Sequence, residues 1–335
     1  MIPFSILDLS PVGEGYSVRD ALDQSRRMAI KAEEQGYKRV WLAEHHGMPG
    51  IASAATSIVI AHVGAATKKI RVGSGGVMLP NHSPLVIAEQ FGTLEALLPG
   101  RVDLGLGRAP GTDMRTASAL RRNMDAGAES FPQDIVELKH LLGTPIENQA
   151  IIAVPGTEAN VPIWLLGSSL YSAHLAAALG LPYAFASHFA PDMLMDAIAI
   201  YRERFQPSAE LDKPYVMVGV MGVAADTDKE AERLFTSSQQ QFVNLRKNVR
   251  TRFPKPLDSM DGFWTPMEKM SVEHTLRYAA VGSVATIEAK LKDFLEETGA
   301  DELIVSMPIH DIGARLHSVD LFASLPMMEK ENYGA

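Results

Sequence analysis

Short unbroken apolar runs alternate along the whole chain with longer stretches in which apolar residues return every three or four positions. Phe4 to Leu9 is the first run, ending at Asp8-Leu9-Ser10-Pro11. Ser17 then reads as a helix cap with Asp20 three positions on. Ala21, Leu22, Met28, Ala29 and Ala32 recur at helical spacing, and Gly36 supplies a left-handed stop. Val40-Trp41-Leu42 is the second run, Ile70 to Ser74 the third, Arg101 to Gly107 the fourth and Ile163 to Gly167 the fifth. Tyr183 to Ser187, Tyr215 to Ala224 and Asp301 to Val305 complete the set before a C-terminal helical segment. Between them the spacing predicts helices over 56–67, from Ser83-Pro84 to Pro99-Gly100, and over 132–142, 169–179, 191–205, 228–246 and 283–298.

Three stretches break the rhythm. Residues 108–130, rich in Gly, Thr, Arg and Asp, read as a long excursion, and long excursions are often functional. In 143–162 a small hairpin is expected around Ile151-Ile152, and 247–270, with Pro254, Pro256, Gly262 and Pro266, reads as an irregular lid or insertion. Apolar runs without polar alternation mark strands buried on both faces. Eight of them joined by helices predict a parallel sheet, with a (β/α)8 TIM-type barrel over 1–335 as the first choice and an open doubly wound sheet as the second.

Composition narrows the partners rather than the fold. Lys and Arg number 31 against 40 Asp and Glu, a net charge of -9, which argues against nucleic acid or an anionic membrane surface. With no cysteine there is no disulfide framework, no thiolate nucleophile and no Cys-ligated metal, as expected for a cytoplasmic protein. The start, Ile2-Pro3-Phe4, lacks the basic opening of a signal peptide, and no apolar run is long enough to span a bilayer.

In a barrel the C-terminal ends of the strands share one mouth. Glu44-His45-His46, Gly73-Ser74-Gly75-Gly76, Gly107-Arg108 and Gly167-Ser168-Ser169 would converge there. An imidazole titrates near neutrality, so His45 or His46 beside a carboxylate suits acid or base work, or simply a hydrogen-bonded loop. The glycines leave room for a planar ligand against backbone. Gly167-Ser168-Ser169-Leu170-Tyr171-Ser172 joins a strand to a helix start, where open N–H groups favour an anion, and Arg108 adds positive charge; Ser168 or Ser169 would otherwise be an N-cap alone. His188, Asn81 and His82 are further mouth candidates. Neither GxGxxG, a P-loop, GxSxG nor HExxH occurs. Adjacent side chains on extended backbone diverge, which leaves metal binding at Glu44-His45-His46 a minor option.

Glu44-His45-His46, the run from Gly73 to Pro84 with Ala88-Glu89-Gln90, and Gly100 to Arg108 together resemble the bacterial luciferase-like flavin monooxygenases. The likeness continues through Gly167-Ser168-Ser169 and Gly299 to Val305. It implies a barrel binding FMN at its mouth, as a homodimer, with a separate flavin reductase supplying reduced FMN. O2 and a small aldehyde-like substrate would react through a C4a-peroxyflavin. By the same resemblance His45 is the catalytic histidine and Glu44 lies near the flavin. Ser74, Gly75 and Gly76 contact the cofactor, with a non-proline cis peptide at Gly75-Gly76 beside the ring, Arg108 binds phosphate, and Gly167, Ser168, Ser169 and Ser172 form the phosphate loop. His46, Asn81 and His188 are expected to line the substrate pocket. Gly107 stands where luciferase has a reactive cysteine and Ser168 where it has a glutamate, and a second phosphate-contacting arginine has no clear counterpart. A deazaflavin-dependent hydride-transfer enzyme and a non-catalytic FMN-binding protein are the alternatives.

Overall fold

The computed structural model describes residues 1–120 and 129–333. Eight parallel strands close on themselves: β1 (Ile2–Asp8), β2 (Arg39–Leu42), β3 (Arg71–Met78), β4 (Val102–Gly107), β5 (Ile163–Gly167), β6 (Tyr183–Phe185), β7 (Val216–Ala224) and β9 (Glu302–Ser306). β9 pairs with both β7 and β1, through Met217↔Glu302 and Phe4↔Leu303, which closes the barrel. These are the eight strands the apolar runs predict. Two more were missed because three and two residues carry no alternation. β8 (Ala280–Gly282) extends β7 beyond the barrel, and β10 (Met328–Glu329) pairs with the start of β1.

Helices α1 (Val18–Gln35), α2 (Thr56–Ala65), α3 (Pro84–Leu97), α4 (Met114–Leu120), α5 (Phe131–Leu142), α6 (Leu170–Leu179), α7 (Leu194–Arg204), α8 (Asp228–Arg246), α9 (Pro266–Thr275), α10 (Val284–Thr298) and α11 (Ile312–Ala323) complete the fold. The Ser17–Asp20 capping box and left-handed Gly36 bound α1 as expected.

The period of two along each strand divides the core. On β2, Val40 and Leu42 face the helices, among Met28, Ile60 and Val72, whereas Trp41 and Ala43 face the lumen with Leu7, Trp164, Ala184, Met217 and Ile304. Trp41 meets Trp164 edge-on at 5.1 Å, and Trp164 meets Tyr215 at 5.6 Å. Below them a buried ionic layer seals the N-terminal ends of the strands. Arg39 donates from Nη1 to Asp103 Oδ2 at 2.8 Å and from Nε to Glu302 Oε1 at 2.8 Å. Its guanidinium lies 4.7 Å from the Trp164 ring centre. Arg71 holds the other Asp103 oxygen at 2.6 Å, and the Tyr215 hydroxyl donates to Glu302 Oε2 at 2.9 Å.

One insertion differs from expectation. No hairpin forms at Ile151-Ile152, which are exposed and unpaired by any ladder. The segment is instead laid on α3, where a Cβ on Gly92 would stand 2.1 Å from the Pro155 carbonyl oxygen, so it has a helix rather than a second strand to pack on. Residues 247–265 are irregular, as their prolines suggest, with one isolated bridge at Phe253 before α9 begins at Pro266. Phe253 N donates to Val12 O and Glu14 N to Phe253 O, both at 2.9 Å, and α9 starts at a Thr265–Glu268 capping box. Part of the excursion at 108–130 is α4, while 121–128 lie outside the described residues. Among the described residues no helix is long and apolar enough to cross a membrane, and no group of His, Asp and Glu is placed to hold a metal ion.

Candidate active site

The alternation on β2 continues past Leu42 and separates the two candidates that adjoin it. Glu44 turns away from the lumen and is buried. Its oxygens accept from His46 Nε2 at 2.7 Å, His82 Nε2 at 3.0 Å, Asn81 Nδ2 at 3.0 Å and the Met78 N–H at 2.8 Å. Burial would raise its carboxyl pKa, but hydrogen bonds and charge from His82, Asn81 and His46 outweigh that and hold it below the ordinary value. Glu44 is therefore a hub that ties the end of β2 to the turn after β3. Its partners Asn81 and His46 are spent on the same hub, with Asn81 also reaching Pro110 O at 2.9 Å.

His45 takes the lumen side. Burial lowers its pKa, with Glu44 opposing and His46 reinforcing the shift, and its Nδ1 is buried without a partner. His188, beyond the end of β6, has a second buried and unpartnered Nδ1. Burial, helped by the charge of His45, lowers His188 to about 4. Both rings are thus neutral at pH 7.

The floor beside them is backbone. The Gly75–Gly76 peptide is cis, as the resemblance implies. A Cβ on Gly76 would stand 2.7 Å from the Gly105 carbonyl oxygen, and one on Gly105 2.2 Å from that of Ser74. Ser74 itself is fully buried. Its hydroxyl donates to Gly105 O at 2.9 Å and accepts from Gly105 N at 3.0 Å, so Ser74 stitches β3 to β4 and leaves only backbone for a ligand.

At the ends of β4 and β5 a cation lies beside a helix start. Arg108 is exposed, and its guanidinium lies 4.0 Å from the ring centre of Tyr171 on the first turn of α6. Ser169 occupies the N-cap position of α6 but makes no side-chain cap bond, so its hydroxyl and that turn's N–H groups stay open. Ser168 and Gly167 are half-buried beside it. Ser172 is turned inward, its hydroxyl donating to Ser169 O at 2.9 Å and lying 3.2 Å from Tyr183 Oη. Its contribution to the loop is its N–H alone. Tyr171 was missed from the sequence, although its place one residue into the helix beside two serines was visible.

The depressed pKa values fix the pH response of stability. An unfolded His188 binds a proton near 6.5 and the folded one only at about 4. Its contribution is present above pH 6.5 and is lost as pH falls toward 4, about 3 kcal/mol in all. Glu44, with its carboxyl held low, loses its contribution only further down. Urea midpoints should therefore fall from pH 7 to 4.5, and His188→Asn should flatten that fall. An equal slope in the variant would show that His188 is not the group responsible.

The luciferase-like monooxygenase family model matches residues 2–302. A luciferase-like monooxygenase of Escherichia coli K12 is 55% identical over 320 residues, 96% of each chain. The structure of apo-MsnO8 superposes with a TM-score of 0.91 at 33% identity, covering 99% of this chain and 100% of that one. At the level of fold alone, the oxygenating constituent of 3,6-diketocamphane monooxygenase from Pseudomonas putida, solved with FMN, matches at TM-score 0.70 and 19% identity over 98% and 99% of the chains. The chain belongs to the luciferase-like monooxygenase family.

Proposed function

We propose that this protein is a flavin-dependent monooxygenase that uses reduced FMN and O2 to oxidise a small, uncharged organic substrate. The observation that carries the reading is Arg108 against Tyr171, which brings a cation beside the uncapped start of α6. A phosphate there would meet Arg108, the Ser168 and Ser169 hydroxyls and the first-turn N–H groups, including that of Ser172. Gly75-Gly76 presents backbone without side chains at the end of β3, against which a planar ring would lie. The bound reduced cofactor would supply two electrons, so that one oxygen atom of O2 enters the substrate and the other leaves as water. The chain's part is to exclude water, fix orientation and manage a proton. His45, neutral and in the lumen, is the group placed to accept or return it. Glu44 acts through its hub, holding the end of β2 in register. No dinucleotide fingerprint occurs in the chain, in keeping with reduction of FMN by a separate reductase.

The exposed apolar side chains of Ile58 on α2, Leu97 on α3 and Ile146, Ile151, Ile152 and Val154 in the insertion laid on α3 favour a homodimer. Sedimentation of the protein and of an Ile58→Glu/Leu97→Glu variant tests it.

For the cofactor, calorimetric titration with FMN and with a deazaflavin, then anaerobic mixing of the reduced complex with O2, separates the readings. Binding of FMN with reoxidation and substrate turnover no faster than for free reduced FMN would leave only a flavin carrier. Arg108→Ala should weaken FMN binding about tenfold, the loss of one charge-assisted contact at an exposed position. An unchanged titration would remove the phosphate from β4 and β5.

A further inference from the structure

We propose that His188 is a second ligand-contacting imidazole of the mouth, seated on Gly219 and facing His45 across the lumen, where it hydrogen-bonds the uncharged oxygen of a substrate. This rests on the monooxygenase reading for the identity of the ligand, but not for the geometry. β2 and β6 stand four places apart in a ring of eight strands, so residues at their ends approach from opposite walls. Gly219 lies on β7 two residues beyond Met217, whose side chain fills the lumen, and the period of two gives it the same face. A Cβ there would fall 2.4 Å from His188 Nδ1 and 3.3 Å from its Cε1. The ring therefore occupies the volume that any side chain on that strand position would take. A lone glycine inside a strand marks such a close approach.

The seat is fixed on other sides too. Ser187 Oγ donates to Gly219 O at 2.6 Å, locking the turn after β6 to β7, and Phe189 meets the imidazole edge-on at 4.9 Å. Despite this positioning, neither ring nitrogen of His188 has a hydrogen-bond partner among the described residues. Nδ1 is buried over Gly219, and Nε2, on the far side of Cε1, is the nitrogen left for a ligand. Polar groups enclosed this far in a protein are ordinarily bonded, and one held rigidly without a partner is provided for a ligand.

The groups around the pair set its charge. Glu44, behind β2, draws a proton toward His45, while His46 and burial oppose it; at His188 burial and His45 both act against protonation. Two neutral imidazoles across an apolar lumen lined by Leu7, Ala184 and Ile304 suit a carbonyl or hydroxyl oxygen and offer nothing to an anion.

The test uses 15N-histidine-labelled protein and long-range 1H–15N spectra, with 2-octanone as the uncharged probe and octanoate as its charged counterpart. In the chain without cofactor, His45→Ala should raise the titration midpoint of His188, because a like-charge neighbour is gone, and Gly219→Ala should displace the His188 ring signals. A midpoint for His188 that does not move would overturn the pairing. In the FMN-loaded protein, 2-octanone should shift the His188 signals saturably while octanoate at equal concentration does not, and His188→Ala should weaken probe binding about fivefold, with His188→Asn recovering most of it. Shifts with octanoate alone, or none with the ketone, sink the proposal. Circular dichroism of each variant keeps misfolding apart from these outcomes. Failure of the wild-type protein to bind FMN would count against the monooxygenase reading and leave the result for the chain without cofactor standing.

Discussion

Substrate oxidation by the His45→Ala variant is expected to fall by about 10²–10⁴-fold, the range over which a positioned acid or base contributes, while FMN affinity stays near that of the unaltered protein. The two effects separate because the residue and the proposed phosphate region lie on different strands. His45 extends from β2, whereas Arg108, Ser168 and Ser169 lie at the ends of β4 and β5. Burial keeps the imidazole neutral at pH 7, so its first act is to accept a proton. The rate should hold at neutral pH and decline as acid protonates His45, at a midpoint below the usual histidine value. With decanal as probe, hydrogen peroxide release and aldehyde consumption would be followed together. The variant should still consume reduced FMN and O2 but divert them to peroxide. A variant with full aldehyde oxidation would strip His45 of any chemical part.

The second large effect is on stability. Arg39→Leu removes the one cation shared by Asp103 and Glu302 at the sealed base of the barrel, and should cost about 3–5 kcal/mol, as breaking a buried ion pair does. The loss falls unequally. Asp103 keeps Arg71 at 2.6 Å and the Trp41 Nε1–H at 3.1 Å. Glu302 keeps two hydroxyl donors, Ser5 and Tyr215, but its remaining cation, Lys38, stands at 3.8 Å. Burial alone would raise the Asp103 carboxyl, and Arg39 with Arg71 hold it below its ordinary value. With Arg39 gone, Asp103 loses the first of the two cations that hold its carboxyl low, and protonation of that carboxyl becomes more favourable. The gap between variant and wild type should therefore narrow as pH falls from 7 to 5, and adding Glu302→Gln to Arg39→Leu should recover part of it. Urea denaturation at the two pH values measures both. A single variant within about 1 kcal/mol of wild type would mean that the base layer is far better solvated than its geometry shows.

The barrel was legible because each of its eight strands is an apolar run bounded by turn residues, a signal that survives without any tertiary knowledge. Its two short additions were not, since β8 and β10 depend wholly on neighbours for pairing. The convergence of β2, β3, β4 and β5 ends followed from barrel closure alone. What the chain could not disclose was direction. Glu44 and His45 are adjacent letters, yet one faces a hub of loop donors and the other the lumen. Likewise Ser74 and Ser172 look available in sequence but bond backbone across or within elements, at Gly105 and Ser169. Gly219 is the reverse case. It sits inside an apolar strand without comment in the sequence, and its meaning appears only with His188 above it.

The ionic and aromatic layers at the foot of the barrel make the lumen a vessel with one opening. Arg39, Asp103 and Glu302, capped by Trp41 and Trp164, leave no rear exit among the described residues. Molecules that meet inside such a vessel must queue: the deeper occupant arrives first and departs last. A compound wedged at the rim would hold everything beneath it in place, so a bulky inhibitor should slow escape of whatever it covers as effectively as it blocks arrival.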